Sequence, residues 1–264
     1  MVKRILSVLI CALVLLFIYA PILLLVVYSF TESHVIGRWE GFSFELYAQL
    51  FRDAEIMQIL FNTVWLALAA AGLSTILGTA GAIGIFYSRR RAAKPLQAMS
   101  QIPVINAEIV TAISLALLFS MLFLYRTYFS LIVGHMVLCT PFVVLSVLPK
   151  LKQMDSNTYE AALDLGASPS QALFRVVIPQ IFSGIVSGFM LSITLSLDDY
   201  IVTAFTKPPM FDTISTYVYN AVKNGTNSST PALRALSALI FIVMIAVLLI
   251  VNLRARKGAK ERRA

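Results

Sequence analysis

The chain reads as an all-α integral membrane protein with six transmembrane helices, and three observations predict this. Of its 264 residues, 59% are hydrophobic and only 13% charged, against about a quarter charged in soluble domains. Six apolar runs, at 5–30, 60–87, 96–124, 128–148, 177–205 and 233–253, are each long enough to cross a bilayer, which takes about 20 residues. The basic residues gather in alternate gaps between those runs. Together these describe a single transmembrane domain over 1–264.

Charge sets the orientation. With the N-terminus inside, the inner segments hold Lys3, Arg4, Arg89, Arg90, Arg91, Lys94, Lys150, Lys152, Arg175 and the basic tail, 15 of the 21 bases. The outer side keeps Arg38, Arg52, Arg126, Lys207, Lys223 and Arg234. Cytoplasmic loops carry the excess of Lys and Arg, so both termini are expected inside a bacterial plasma (inner) membrane. The same distribution disposes of nucleic acid as the meaning of the +8 net charge. Cys11 and Cys139 both fall inside apolar runs, too few for a disulfide framework or a metal centre.

The first run is longer than the 7–15 apolar residues of a secretory signal and carries Pro21 and Tyr28 where a cleavage site would lie, so it is expected to stay as a span. After it, Phe42, Phe44, Leu46, Tyr47, Leu50 and Phe51 follow helical spacing behind Trp39. They predict a short helix along the outer membrane surface, with an aromatic-anchored loop as the alternative. The second run is rich in small residues: Gly78 and Ala82, Ala80 and Gly84, at the spacing that lets helices approach closely in lipid.

The third run holds Pro103, Asn106 and Glu108. An acid twelve residues into a span lies roughly 18 Å along it, near mid-bilayer. Acids there normally face a cavity or partner and mark a pathway. The fourth run contains His135, to which no role is assigned, and Pro141, expected to kink it. The fifth carries Gly184, Gly188, Ser192 and Ser196 in one stripe and ends in Asp198-Asp199-Tyr200. Asp199 falls within about 20° of Gly188 and Ser192 on the helical wheel. It is therefore expected to face other helices, as part of a cation pathway, with a helix cap or a pair with Lys207 as the alternatives. The segment 207–231 reads as a polar loop with a turn at Asn224-Gly225.

Between the fourth and fifth runs lies the one long polar, helix-forming stretch, Tyr159 to Pro179. A helix is expected to stop at Gly166 and a second to start at Ser168-Pro169. Such an elbow can project from the membrane, and Glu160 offers a carboxylate to a basic partner. No G-x-x-x-x-G-K-[ST] occurs, so no P-loop binds ATP, and no metal-ligand or nucleophile–base constellation recurs. The chain is expected to be no enzyme and to need no cofactor.

Glu160-Ala161-Ala162, three residues, Gly166, nine residues, then Val176, Val177, Ile178 and Pro179 resemble the EAA signature of permease subunits of ATP-binding-cassette importers. YAPILLLVVYSF, NAEIVTAISLALLF, HMVLCTPFVVLSV and SLDDYIVTAF resemble the PotC-type permeases of spermidine/putrescine importers over nearly the full length. The resemblance implies the MetI-like fold of type I importer permeases. It also implies a PotB-like second permease, two PotA-like ATPases that supply the hydrolysis, and a PotD-like extracytoplasmic binding protein. A coupling segment at about 155–179 would contact the ATPase through Glu160, Ala161, Ala162, Asp164, Gly166 and Pro179. Glu108, Asp198, Asp199 and Tyr200 are the candidate substrate pathway, because a polycation in a low-dielectric path needs acids to offset its desolvation. Another small solute, such as an amine or metal chelate, or a structural membrane role, are the other readings.

Overall fold

The computed structural model describes residues 2–31, 39–155, 157–224, 234–239, 241, 242 and 245. It is all-helical apart from one isolated antiparallel bridge between Thr31 and Phe42. The chain divides into two compact units: Met1–Gln58 with Val218–Ala264, and Ile59–Tyr217.

In the first unit, α1 (Val2–Tyr28) exposes apolar side chains between Leu6 and Val27, among them Leu9, Leu16 and Phe17. A helix apolar all round has no water-facing side, as expected of one set in lipid or against another protein. A single-turn aromatic cluster follows: the Phe30 ring stacks on Phe42 at 5.6 Å and meets Tyr47 at 5.2 Å. Here the expected short helix forms, α2 (Glu45–Arg52), burying Leu46 and Leu50 and exposing Phe44 and Phe51.

The second unit is built on long helices. From α3 (Ala54–Tyr87) it takes the part after Gln58, together with α7 (Tyr128–Gln153) and α10 (Ile178–Asp198). α7 starts on a reciprocal cap: Ser130 N–H donates to Thr127 Oγ1 at 3.1 Å, and Thr127 N–H to Ser130 Oγ at 2.8 Å. A core of Ala82, Ile85, Val143, Val144, Val147, Leu151, Val177 and Ile181 joins the three helices. Small residues permit this approach. A Cβ on Gly188 would lie 3.1 Å from Val143 Cα, and one on Gly184 3.0 Å from the Ser146 carbonyl oxygen. The expected stripe on the fifth run is thus the buried one, with Ser192 and Ser196 in it. On α3 only one of the two small pairs is used: Gly78 and Ala82 are buried, whereas Ala80 and Gly84 are exposed.

Four helical stretches among the described residues are long and apolar enough to cross a membrane: Leu9–Tyr28, Ala54–Tyr87, Tyr128–Gln153 and Pro169–Asp198. Three expectations need correcting. The third run, 96–124, is not one rod. α4 (Arg90–Ser100) and α5 (Ile102–Ile105) lead to a break, and α6 (Glu108–Met121) departs at 102°. Asn106 and Ala107 are both extended, with ψ of 146° and 132°. Glu108 then takes the first helical position, where an acid is favoured by the helix dipole.

The fifth run, 177–205, is interrupted as well. α10 ends at Asp198, and α11 (Ile201–Thr206) starts afresh after Tyr200. Finally, the segment read as a loop contains α12 (Ile214–Asn224). It opens on a threonine pair, Thr213 N–H donating to Thr216 Oγ1 at 3.0 Å. The sixth run lies largely outside the described residues, as do Gly225 of the expected turn and the basic tail.

Candidate functional site: the acidic junction and the polar elbow

Both helix breaks bring acids to one place. α6 packs on α11, and this sets Glu108 at the head of α6 within electrostatic reach of Asp199 and Asp198. Carboxyls so placed repel one another unless a proton or a cation sits between them. Glu108 and Asp198 are exposed, Tyr200 is half-buried at the break, and Asp199 is buried.

Asp199 does two jobs there. Oδ1 accepts Val202 N–H at 3.1 Å and Oδ2 accepts Thr203 N–H at 2.7 Å, so the carboxylate caps the new helix. These amides at the head of α11 have no intrahelical partner of their own. The cap expected as an alternative is real, and so is the expected burial among helices. The other alternative fails: Lys207 pairs with Asp212, whose Oδ1 also accepts the Thr216 hydroxyl at 2.9 Å.

His135, left without a role by sequence reasoning, stands behind Asp199 and is fully buried. Nε2 is 3.5 Å from Asp199 Oδ2 and 3.0 Å from Thr203 Oγ1, and Nδ1 is 2.8 Å from Ser196 Oγ. The spacing of Ser196, Asp199 and Thr203 marks two hydroxyls flanking an acid, but nothing in it points to residue 135.

The elbow is a second, separate construction. α8 (Asn157–Asp164) starts where Asp155 Oδ1 accepts Asn157 N–H at 2.9 Å. It ends in paired reverse bonds, Ala167 N–H to the Ala162 carbonyl at 3.1 Å and Gly166 N–H to the Leu163 carbonyl at 2.9 Å. That is the Schellman arrangement, and it needs the left-handed φ of +86° found at Gly166.

α9 (Pro169–Ala172) follows with Pro169 in its first turn. Gln171 N–H donates to Ser168 Oγ at 3.3 Å, and Ser168 N–H to Gln171 Oε1 at 3.0 Å. A π-helical turn, Leu173–Val177, passes the chain to α10, with Pro179 in its opening turn. Glu160, Ala161, Asp164, Gly166 and Pro179 are exposed and Ala162 is buried. Leu165, at the tip, is 90% exposed. Tyr159 anchors the elbow, its ring 5.2 Å from that of Tyr87. Beside that contact lies a pocket of about 460 Å³ lined by Tyr87, Tyr159, Leu173 and Phe174.

Several long apolar helices, with a second broken pair meeting them at an acidic junction and a capped polar elbow leading into one of them, define a multi-pass membrane protein. Residues 74–257 match the family described as binding-protein-dependent transport system inner membrane component. The chain belongs to that family and is a multi-pass inner-membrane protein with its MetI-like fold. It is 32% identical over 92% of its length, and 93% of the relative's, to the spermidine/putrescine transport system permease protein PotC of Haemophilus influenzae. It is 34% identical over 85% of its length, and 81% of the relative's, to the putrescine transport system permease protein PotI of Escherichia coli K12. A crystal structure of a bacterial ABC transporter involved in the import of the acidic polysaccharide alginate superposes with a TM-score of 0.71. That match covers 97% of this chain and 96% of the other at 15% identity, a likeness of fold.

Proposed function

We propose that this chain is one permease half of an ATP-driven polyamine importer. The gathering of Glu108, Asp198 and Asp199 at the junction of two broken helices carries the reading. A di- or polyammonium ion leaving water needs opposite charge along its route, and this is where the described helices supply it. The names of the PotC and PotI relatives support the same cargo.

In this reading both termini are cytoplasmic and the elbow faces a PotA-like ATPase pair. A PotB-like permease completes the pathway, and a PotD-like receptor delivers substrate from outside. Glu160, Ala161, Ala162, Asp164 and Gly166 form the docking helix and its stop. Pro179 starts the span that moves with it. Closure of the ATPases then tilts the helices bearing the acids. The chain itself is no catalyst.

The test is uptake of labelled spermidine and putrescine by the reconstituted importer carrying Asp199→Asn or Glu108→Gln. We expect uptake to fall about tenfold or more, the equivalent of losing one charge-assisted contact, while receptor-stimulated ATPase persists. Full polyamine uptake in both variants removes the acids from the pathway.

A further inference from the structure

The transport reading leaves His135 unused, although it is fully buried. A histidine among apolar helices persists where its ring nitrogens find partners. Here the two partners lie on opposite sides of one helix break: Ser196 on α10, at 2.8 Å from Nδ1, and Thr203 on α11, at 3.0 Å from Nε2.

The direction of each bond follows by elimination. With its carboxylate ionised Asp199 accepts only, and the Thr203 hydroxyl donates to its Oδ2 at 2.7 Å. With its hydrogen committed there, Thr203 Oγ1 can only accept from His135, so Nε2 carries a ring proton. In the neutral ring Nδ1 then accepts the Ser196 hydroxyl. The donors run in one direction, from Ser196 through His135 and Thr203 to Asp199.

Other residues of α7 hold the two helices on either side of the break. Ser130 Oγ donates to the Thr206 carbonyl at 2.9 Å, and Cys139 Sγ lies 3.5 Å from the Ser192 carbonyl. Gly134 lets α11 come close: a Cβ there would lie 2.9 Å from Val202 Cγ1. One continuous helix thus touches α10 before the break and α11 after it, with His135 at the gap.

We infer that His135 is a positioning residue for transport, fixing the α10–α11 break through Ser196 and Thr203 and so aiming the Asp199 carboxylate into the space shared with Glu108. The inference rests on Asp199 belonging to the polyamine pathway. Asp199 has both oxygens committed to α11, so a small rotation of α11 carries the acid with it. His135 is the side chain that ties that rotation to α10.

The experiment uses the complete importer in liposomes with His135→Leu, His135→Gln, Thr203→Val and Asp199→Asn, and the double variant His135→Leu/Asp199→Asn. Spermidine uptake and receptor-stimulated ATPase are measured together. His135→Leu is expected to lower uptake about tenfold at near-constant ATPase, as loss of one hydrogen bond to a charged group would. His135→Gln, which keeps an N–H donor toward Thr203, is expected to restore most of it. In the Asp199→Asn background His135→Leu should add little, because interacting residues are not additive.

A parallel fall of ATPase and uptake, or full additivity, makes His135 structural only and overturns the inference. So does unchanged uptake in His135→Leu when Asp199→Asn is impaired. Unchanged uptake in Asp199→Asn is a different result: it removes the pathway reading itself, and the inference with it. Should His135→Leu fail to assemble, Thr203→Val carries the test, with loss of uptake at constant ATPase supporting the role and full uptake overturning it.

Discussion

Gly78 of α3 and Val143 of α7 stand so close that a Cβ on the glycine would lie 2.6 Å from the valine Cβ. Val143 also faces Gly188 of α10, so one β-branched side chain is gripped between two glycines on two helices. In lipid, where tails are as apolar as leucine, such close approach is the main source of helix association.

Gly78→Leu should therefore destabilise the protein by about 1–3 kcal/mol, the usual result of forcing extra carbon into a packed interface. Gly84→Leu is the control, because nothing lies within 4 Å of a Cβ there. Melting temperatures of the detergent-purified protein should fall for the first and stay for the second.

Gly166 presents the opposite case. A Cβ meets nothing within 4 Å, but φ is +86°. The cost of Gly166→Ala is then conformational, about 1–2 kcal/mol, and Gly166→Asn should cost less because Asn tolerates the left-handed region. Amide exchange in α8 reports it: the alanine variant should exchange faster, the asparagine variant nearly as slowly as the parent.

Ser168→Ala removes the oxygen that caps α9. About 1 kcal/mol of local stability should go, and the Gln171 amide, which donates to Ser168 Oγ, should lose protection first. Ser170→Ala removes only the hydroxyl 3.1 Å from Ser168 Oγ and keeps the capping oxygen, so it should lower that protection by less.

The elbow tip offers the sharpest test of coupling. Leu165 is 90% exposed, and burying a leucine against a partner contributes about 1.5–3 kcal/mol. Leu165→Asp, and separately Glu160→Lys, should weaken co-elution of the ATPase by tenfold or more while the chain stays in the membrane. Retention of the ATPase in both variants would place the coupling surface elsewhere.

The sequence made some of this legible and hid the rest for physical reasons. The stop at Gly166 and the restart at Ser168-Pro169 are local chemistry, written within four residues, and they appear where expected. The buried stripe of Gly184, Gly188, Ser192 and Ser196 is periodicity, equally local. The breaks at Asn106-Ala107 and Asp199-Tyr200 were not visible, because hydropathy scores apolar content and is blind to backbone direction. Pro103 and Asn106 were the available hints. α12 was hidden by its polar residues, although Thr213 and Thr216 spell a cap. His135 needed partners 61 and 68 residues away, which no local pattern can supply.

The unbroken α7 has a further consequence. Near its head it carries Ser130 and His135 beside the interrupted helix; near its foot Leu151 is packed in the cluster that also takes in Tyr159 and Val177. From Ser130 to Leu151 is about 31 Å at 1.5 Å per residue. A stiff strut held at both extremities turns a small tilt at one into a proportionate displacement at the other. Pro141, which leaves one rung of its ladder open midway, marks the place where such a strut would flex.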